Sequence, residues 1–274
     1  MKRVGILYHP KREEAVAFSQ ELEKFLSARG IDIWLCSAWE PEKARQQVNG
    51  TDLILSIGGD GTILRTARVI IPDSVPILGI NLGNLGFMAE LKATEALDKL
   101  PVLLDGGGWI EERAIIQAEL LAQCKTFHAL NDVFVGRRSS ARLVNIECKI
   151  DGAMLVTYRA DGVIVATASG STGYSLAAGG PILPPQAREM ILQPVCSHFT
   201  FDKALVLPSQ TLIDLRVITS HEAMISIDGQ TEIQLNSEDK VKVTLSPYAA
   251  KFLRLQPKKY FYESIDARLK RKIS

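Results

Sequence analysis

The chain has 274 residues, of which 46% are hydrophobic and 23% are charged, and its formal net charge at pH 7 is +1. This length favours two domains, and the near-zero charge excludes a broadly basic surface, so we expect no nucleic-acid and no membrane partner. Four dispersed cysteines without a CxxC pair argue against zinc and disulfide classes, no apolar run approaches about 20 residues, and we expect a cytoplasmic protein.

The first hundred residues alternate between strand-like and helix-like patterns. The predicted strands contain RVGILYH, IDIWL, TDLILSI and VPILGI, and the predicted helices cover residues 13–29, the stretch EPEKARQQV and residues 61–70. Nearly continuous apolar strands separated by helices are typical of a parallel sheet that is covered on both faces. We therefore predict an N-terminal doubly wound α/β domain that ends near residue 100.

The pattern changes in the second half, where apolar and polar residues alternate. The segment VNIECKI shows this alternation, and MLVTYRADGVIVATAS reads as further strand. Asp151-Gly152 and Asp228-Gly229 are tight-turn signals between strand-like segments. These features predict a C-terminal all-β, sandwich-like domain, followed by an amphipathic helix in the tail.

The stretch LILSIGGDGTILRTA, residues 53–67, joins a predicted strand to a predicted helix through a glycine-rich loop. Such a loop lies at the mouth of a parallel sheet, where backbone amides and the helix N-terminus favour a phosphate. The stretch fits neither GxxxxGK[ST] nor GxGxxG. An acid in a phosphate-binding loop is unfavourable unless it holds a metal ion or accepts a proton, so Asp60 is a candidate catalytic group. The alternative is that Asp60 simply caps the following helix.

GGDGT resembles a motif that NAD kinases share with diacylglycerol and sphingoid-base kinases and, more loosely, with phosphofructokinases. The other motifs distinguish among these families. They are NLGNLGFMAE (81–90), LND (130–132), ADGVIVATASGSTGYSLAAGGPIL (160–183) and SIDGQ (226–230). In this order they are similar to the NAD kinase series, and the resemblance covers nearly the whole chain.

The resemblance implies a kinase that transfers the γ-phosphoryl group of ATP, or of polyphosphate in some members, to the adenosine 2′-hydroxyl of NAD. It implies a divalent cation, with Mg²⁺ expected, whose ligands stay unassigned, and a homodimer or homotetramer. It also implies an α/β domain of residues 1–100 on which residues 252–274 pack, and a β-rich NAD-binding domain of residues 101–251.

In the first domain the resemblance makes Asp60 the group that activates the 2′-hydroxyl. Gly59, Gly61 and Thr62 form the loop that faces the phosphates. Arg65, one turn further, is available to phosphate oxygens, and its alternative is an exposed helix arginine. Phe87 is expected as an apolar wall for adenosine.

In the second domain the resemblance assigns Asn131 and Asp132 to the ribose hydroxyls of NAD and Asp161 to its nicotinamide end. The adenosine-binding candidates are Thr172, Gly173, Tyr174, Ser175 and Ala177. Arg142, Arg159 and Gln230 are expected near the bound nucleotide. From the residues alone, Asn131-Asp132 and Asp161 are equally readable as turn residues, and Asp228 as a type I′ turn residue.

Two other functions stay open at this point. A lipid or sphingoid-base kinase would share GGDGT and would need an apolar pocket for acyl chains. A non-catalytic NAD or NADP sensor would keep the loop for binding alone, although a pure binding site gains little from an acid beside phosphate.

Overall fold

A computed structural model describes residues 1–83, 85–138, 142–198 and 202–273. Asn84, within the motif NLGNLGFMAE, lies outside the described residues. The chain splits into two compact units. The first contains Met1–Glu112 and Ala250–Ser274, and the second contains Arg113–Ala249.

Strands and helices alternate at the start of the first unit. In chain order the elements are β1 (Arg3–Tyr8), α1 (Glu13–Ser27), β2 (Asp32–Ser37), α2 (Pro41–Val48), β3 (Leu53–Ile57), α3 (Asp60–Ile70), β4 (Ile77–Asn81), β5 (Leu91–Lys92) and α4 (Ala93–Leu104). The strands form a parallel sheet in the order β2, β1, β3, β4, and β5 pairs with β4.

The burial of the strands agrees with a parallel sheet that is covered by helices. Every residue of β3 and β4 is buried, as expected for strands that are covered on both faces. Side chains of α1 and α4 share one apolar core with β1 and β3, and α2 packs against α3. The predicted doubly wound α/β class is therefore confirmed for this part of the chain.

The described part of the second unit is built from antiparallel strands, one short α-helix and two 3₁₀ turns. The elements are β6 (Trp109–Leu120), β7 (Lys125–Ala129), β8 (Asp132–Arg137), β9 (Val144–Ile150), β10 (Ala153–Ala160), β11 (Gly162–Ala166), α5 (Tyr174–Ala177), β12 (Met190–Val195), β13 (Leu205–Leu207), β14 (Ile213–Ile218), β15 (Ala223–Ile227), β16 (Thr231–Leu235) and β17 (Lys240–Arg254). β6 begins, and β17 ends, in the first unit.

Two layers of strands enclose the core of the second unit. One has the order β13, β12, β11, β8, β15, β16, and the other contains β10, β9, β14 and β17. Inward residues of both layers, such as Val133, Val163, Ile146 and Leu215, belong to one fully buried apolar cluster. This arrangement is the predicted sandwich-like domain.

The predicted turns occur where the sequence places them. Asp151 and Gly152 have φ of 50° and 81°, and Asp228 and Gly229 have φ of 52° and 62°. Two consecutive positive φ values are typical of the tight hairpin turn that Asp-Gly favours. The segment expected as continuous strand around Asp161 is instead interrupted there, because β10 and β11 belong to different sheets.

The tail forms the predicted helix, α6 (Tyr260–Ile273), in the first unit. Its residues Phe261, Ile265 and Leu269 are half-buried, as the amphipathic pattern predicts. The Arg268 guanidinium lies over the Phe87 ring, 5.7 Å from its centroid. Among the described residues, no helix has the length and apolar character needed to cross a membrane.

Candidate active site

The glycine-rich loop of the first unit turns directly from β3 into α3. Gly58 has φ of +150°, and a Cβ there would lie 2.3 Å from Oγ1 of Thr62. Glycine is therefore needed at residue 58 both for its backbone conformation and for the close approach of Thr62. Oγ1 of Thr62 is buried and has no hydrogen-bond partner within the described part of the chain.

Asp60 is the first residue of α3, and Gly59 is the N-cap residue. The Asp60 carboxylate does not cap its own helix. It accepts hydrogen bonds from the backbone amides of Phe87 at 2.9 Å and Met88 at 3.2 Å. The helix N-terminus also favours a negative charge at this position. The acid is thus oriented by a distant loop and stays half-buried, open to a further partner.

Gly86 allows this arrangement, and the sequence analysis did not identify it. A Cβ at residue 86 would lie 2.4 Å from both carboxylate oxygens of Asp60. The NLGNLGF motif contains a signal for this contact, because a glycine among apolar residues is typical of a site where another part of the chain approaches the backbone closely. The same loop contributes Phe87, which is buried and contacts Asp60 through its backbone.

Arg65 is neither free nor fully exposed. Its guanidinium lies over the Trp39 ring, 4.4 Å from the centroid, and the His9 ring lies 4.4 Å from Trp39 on centroids. Burial and the positive charges of Arg12, Lys11 and Arg65 lower the pKa of His9. His9 is therefore mainly neutral at pH 7 and adds no charge to this cationic edge of the sheet. Sequence reasoning missed His9 and Trp39.

In the second unit, Asp228 organises the loop that contains LND. Its carboxylate accepts three backbone hydrogen bonds, from Leu130 at 3.0 Å, Asn131 at 2.7 Å and Asp132 at 3.1 Å. The turn residue predicted at 228 is therefore also an anchor for the candidate ribose-binding loop. Gln230 follows in the same turn, and its backbone amide donates to the carbonyl oxygen of Ile227 at 2.9 Å.

The LND loop presents two polar side chains with unusual surroundings. Oδ1 of Asn131 is buried without a hydrogen-bond partner among the described residues. Asp132 is 7% exposed, and burial followed by the charge of Asp228 raises its pKa from 3.8 to about 7. Near neutrality a carboxyl group of this kind can both donate and accept. Buried polar atoms usually have a hydrogen-bond partner, which for Oδ1 of Asn131 a water, an ion or a ligand can supply.

The GSTGYS loop packs closely on LND. A Cβ at Gly170 would lie 2.0 Å from the carbonyl oxygen of Asn131. Oδ2 of Asp132 and Nδ2 of Asn131 would each lie 3.7 Å from a Cβ at Gly173. Thr172 is buried, as is Oγ of Ser175, which has no hydrogen-bond partner in the described ranges. These predicted residues are therefore brought together.

Tyr174 is 44% exposed, and its ring lies 5.6 Å from that of Phe134 on centroids. The Phe134 ring lies against Gly136 and Gly162, where a Cβ would come within 2.2 Å of it. Tyr174 thus has an apolar support and an exposed surface. Sequence reasoning found Tyr174 and missed Phe134.

The remaining predicted residues have other surroundings. Asp161 forms a two-point ion pair with Arg137, with distances of 2.9 Å and 3.0 Å, so its carboxylate is oriented by a residue that the sequence analysis missed. Arg142 donates to Nε2 of His221 at 3.4 Å. Arg159 and Ala177 are exposed.

Comparison with known proteins identifies the class. Residues 34–107 match the ATP-NAD kinase N-terminal domain, and residues 130–255 match the ATP-NAD kinase C-terminal domain. Among curated relatives, NAD kinase of Dehalococcoides mccartyi strain BAV1 is 44% identical, with 98% of this chain and 96% of the relative covered. NAD kinase of Chloroflexus aggregans is 39% identical, with 99% of each chain covered.

Solved structures give the same result. Yeast NADH kinase complexed with NADH has a TM-score of 0.86 at 25% identity and covers 100% of this chain and 89% of its own. An NAD kinase from Archaeoglobus fulgidus in complex with ATP shares the fold, with a TM-score of 0.79, 24% identity and 98% coverage of each chain. The protein is thus a phosphotransferase that uses an alcohol group as acceptor. The chain belongs to the NAD kinase family.

Gly86→Ala tests the close approach of the backbone at residue 86 to the Asp60 carboxylate. The added methyl group displaces the Asp60 carboxylate from the two amides, and a displacement of about 1 Å at a reacting group costs roughly 100-fold in rate. We expect kcat to fall by about that factor in a steady-state assay. Gly83→Ala is the matched control, because no described atom outside the neighbouring residues lies within 4 Å of a Cβ there. Equal kcat values for the two variants would contradict this account.

Asp228→Ala tests the anchor of the LND loop. The change leaves three backbone amides without their carboxylate, and hydrogen bonds to a charged group contribute about 1.5–3 kcal/mol each. We expect the free energy of unfolding in urea to fall by about 3 kcal/mol or more. Asp151→Ala is the control at the other Asp-Gly turn, where the carboxylate accepts one amide, that of Leu212. A smaller loss for Asp228→Ala than for Asp151→Ala would contradict the assignment.

Asp132→Asn tests the raised pKa of Asp132 through the pH dependence of stability. The folded state binds the Asp132 proton more tightly than the unfolded state, so the free energy of unfolding falls as pH rises from 3.8 to about 7. Asparagine removes this dependence. We expect the free energy of unfolding of the variant, relative to that of the native protein, to rise by at least about 1 kcal/mol between pH 4 and pH 8. Urea unfolding at each pH measures this difference. A difference that is constant with pH would refute the raised pKa.

Proposed function

We propose that Asp60 is the general base in transfer of the γ-phosphoryl group of ATP to the adenosine 2′-hydroxyl of NAD. The observation that carries the proposal is the position of its carboxylate. It lies on a glycine-rich loop at the end of a buried parallel strand, held by two backbone amides and still half-buried. Ligands bind at this edge of such sheets, and phosphates bind at the N-termini of helices.

The reaction then follows from positioning and charge. Asp60 takes the proton of the 2′-hydroxyl as its oxygen forms a bond to the γ-phosphorus. The bond from that phosphorus to the bridging oxygen breaks, and ADP leaves with the electron pair. In this proposal Gly59, Gly61 and Thr62 form the loop that faces the phosphates, and the Thr62 amide holds that loop by donating to the Gly59 carbonyl at 2.9 Å. Arg65, held over Trp39, adds positive charge near the transferring group.

The second unit supplies the proposed NAD contacts. Asn131 and Asp132 bind the ribose hydroxyls in this proposal. Oδ1 of Asn131 is buried with no hydrogen-bond partner in the described part of the chain, and Asp132 can donate as well as accept near neutrality. Thr172, Gly173, Ser175 and the supported ring of Tyr174 contact adenosine.

The other predicted residues keep their proposed roles at the nucleotide. Asp161, fixed by Arg137, contacts the nicotinamide end. The further contacts to the nucleotide come from Phe87, Arg142, Arg159, Ala177 and Gln230. In this proposal residues 1–100 with 252–274 carry the phosphate loop, and residues 101–251 bind NAD.

The divalent cation, for which we propose Mg²⁺, enters with the nucleotide. No group of three or more His, Cys, Asp or Glu side chains suited to a metal ion occurs among the described residues. Mg²⁺ keeps several waters and is commonly bound through one or two carboxylates and substrate phosphates. When bound, it neutralises charge on the phosphoryl oxygens.

The proposal also covers the phosphoryl donor, the phosphoryl acceptor and the oligomeric state. We propose ATP as donor, with polyphosphate as the alternative, and a cytoplasmic homodimer or homotetramer. NADH is a second acceptor to test, because a yeast relative was crystallised with it. Assays of purified protein with each donor and acceptor, and light scattering of the purified chain, measure these properties.

Asp60→Asn tests the base. The amide cannot take the proton, and a general base contributes about 100-fold to 10,000-fold in rate. We expect NADP formation to fall by that range while the Kd for NAD, measured by calorimetry, changes less than about threefold. The melting temperature of the variant is the control for folding. Unchanged turnover would refute the assignment, and a lipid product without NADP would favour the lipid kinase alternative.

A further inference from the structure

A buried ionic cluster lies directly behind the loop that holds Asp60. It consists of Arg254, Glu90 and Glu111, which are 5%, 8% and 5% exposed. Nη2 of Arg254 lies 2.8 Å from Oε1 of Glu111, and Nε donates to the same oxygen at 3.1 Å. Nη1 lies 3.2 Å from Oε2 of Glu90. Removing charged groups from water is costly, so a cluster this deeply buried needs a structural or functional reason.

The same guanidinium also reaches the backbone of the Asp60 loop. Nη1 of Arg254 donates to the carbonyl oxygen of Met88 at 2.8 Å. The amide of Met88 donates to Asp60 at 3.2 Å. Both backbone groups of Met88 are therefore occupied, one by the arginine and one by the candidate base. The two bonds together restrict rotation about the backbone of Met88.

Glu90 holds the following residues in place. Its amide donates to the Gly79 carbonyl on β4 at 2.8 Å, and its Oε1 accepts the amides of Leu255 at 2.8 Å and Gln256 at 2.7 Å. The loop is thus attached to the sheet on one side and to the end of β17 on the other. Arg254 is the residue whose side chain connects these attachments to Met88.

We infer that Arg254 is a positioning residue for the phosphoryl transfer. By holding the carbonyl of Met88, it aims the amides of Phe87 and Met88 at the Asp60 carboxylate. These amides keep the acid oriented towards its substrate. Arg254 itself does not contact the reacting atoms in this account. The inference rests on the proposed role of Asp60.

A planar guanidinium is required for this role. Arginine presents five donors in a rigid fork, whereas lysine presents a single nitrogen on a flexible stem. Lysine at residue 254 keeps the charge that the two glutamates need. It cannot reach Glu111, Glu90 and the Met88 carbonyl with the same geometry. Arg254→Lys therefore separates positioning from charge.

The experiment compares Arg254→Lys with Leu100→Ala. Leu100 is a fully buried core residue of α4 and serves as a control for destabilisation of the same unit. Rates are measured well below both melting temperatures and expressed per NAD-binding site. We expect kcat of Arg254→Lys to fall at least tenfold with the KM for NAD changed less than twofold.

Leu100→Ala is expected to keep the kcat and the KM for NAD of the native protein. If Arg254→Lys behaves like Leu100→Ala, the inference is wrong. Glu111→Gln is the second variant, in case Arg254→Lys does not fold. It weakens the anchor of the guanidinium without touching Met88, and a smaller fall in kcat with an unchanged KM for NAD is expected. A native kcat for a folded Glu111→Gln with Arg254→Lys unfolded would also overturn the inference.

The outcomes also separate this inference from the proposed function. If Asp60→Asn abolishes turnover and Arg254→Lys is unaffected, only the positioning role fails. If Asp60→Asn retains turnover, the role of Asp60 as base fails, whatever Arg254→Lys does.

Discussion

The chain relies on carboxylates that accept hydrogen bonds from backbone amides far away in sequence. Asp60 binds the amides of residues 87 and 88, and Asp228 binds those of residues 130, 131 and 132. Glu90 does the same for residues 255 and 256. Loops at the edges of sheets have unpaired amides, and a carboxylate is a strong acceptor for them. Each acid thereby holds in place a loop or strand end of the proposed site or beside it.

The number of hydrogen bonds that each carboxylate accepts distinguishes the anchoring acid, Asp228, from the proposed base, Asp60. Asp228 is 8% exposed and accepts three amides, so little of its capacity is left for a ligand. Asp60 accepts two and stays half-buried at the start of a helix. An acid that is oriented but incompletely satisfied is suited to accept a proton. This difference supports assigning the base to Asp60, although both acids precede glycine in similar turn-like sequences.

Asp132 is the first residue of β8, and Asp228 directly follows β15. This pair shows how an anchoring acid changes the pKa of a neighbouring acid. The charge on Asp228 adds to burial in raising the pKa of Asp132. Holding the LND loop therefore has a second effect, because it leaves Asp132 able to carry a proton near neutrality. Oδ1 of Asn131, which is buried and has no hydrogen-bond partner among the residues that the structure describes, lies in the same loop. The loop therefore contains two polar side chains that suit the proposed contacts to ribose hydroxyls.

The sequence by itself determined the α/β and β-rich halves, the loop with Asp60, the two Asp-Gly turns and the tail helix. These features depend on local periodicity and on conformations that only certain residues adopt readily, which a sequence displays directly. Only the tertiary structure decided which residues meet, because such contacts join positions far apart in the chain. Gly86 beside Asp60, Arg137 on Asp161, Asp228 under LND and Arg254 behind Met88 are all of this kind. Their partners lie 24 to 166 residues away, and no local pattern encodes such a pairing.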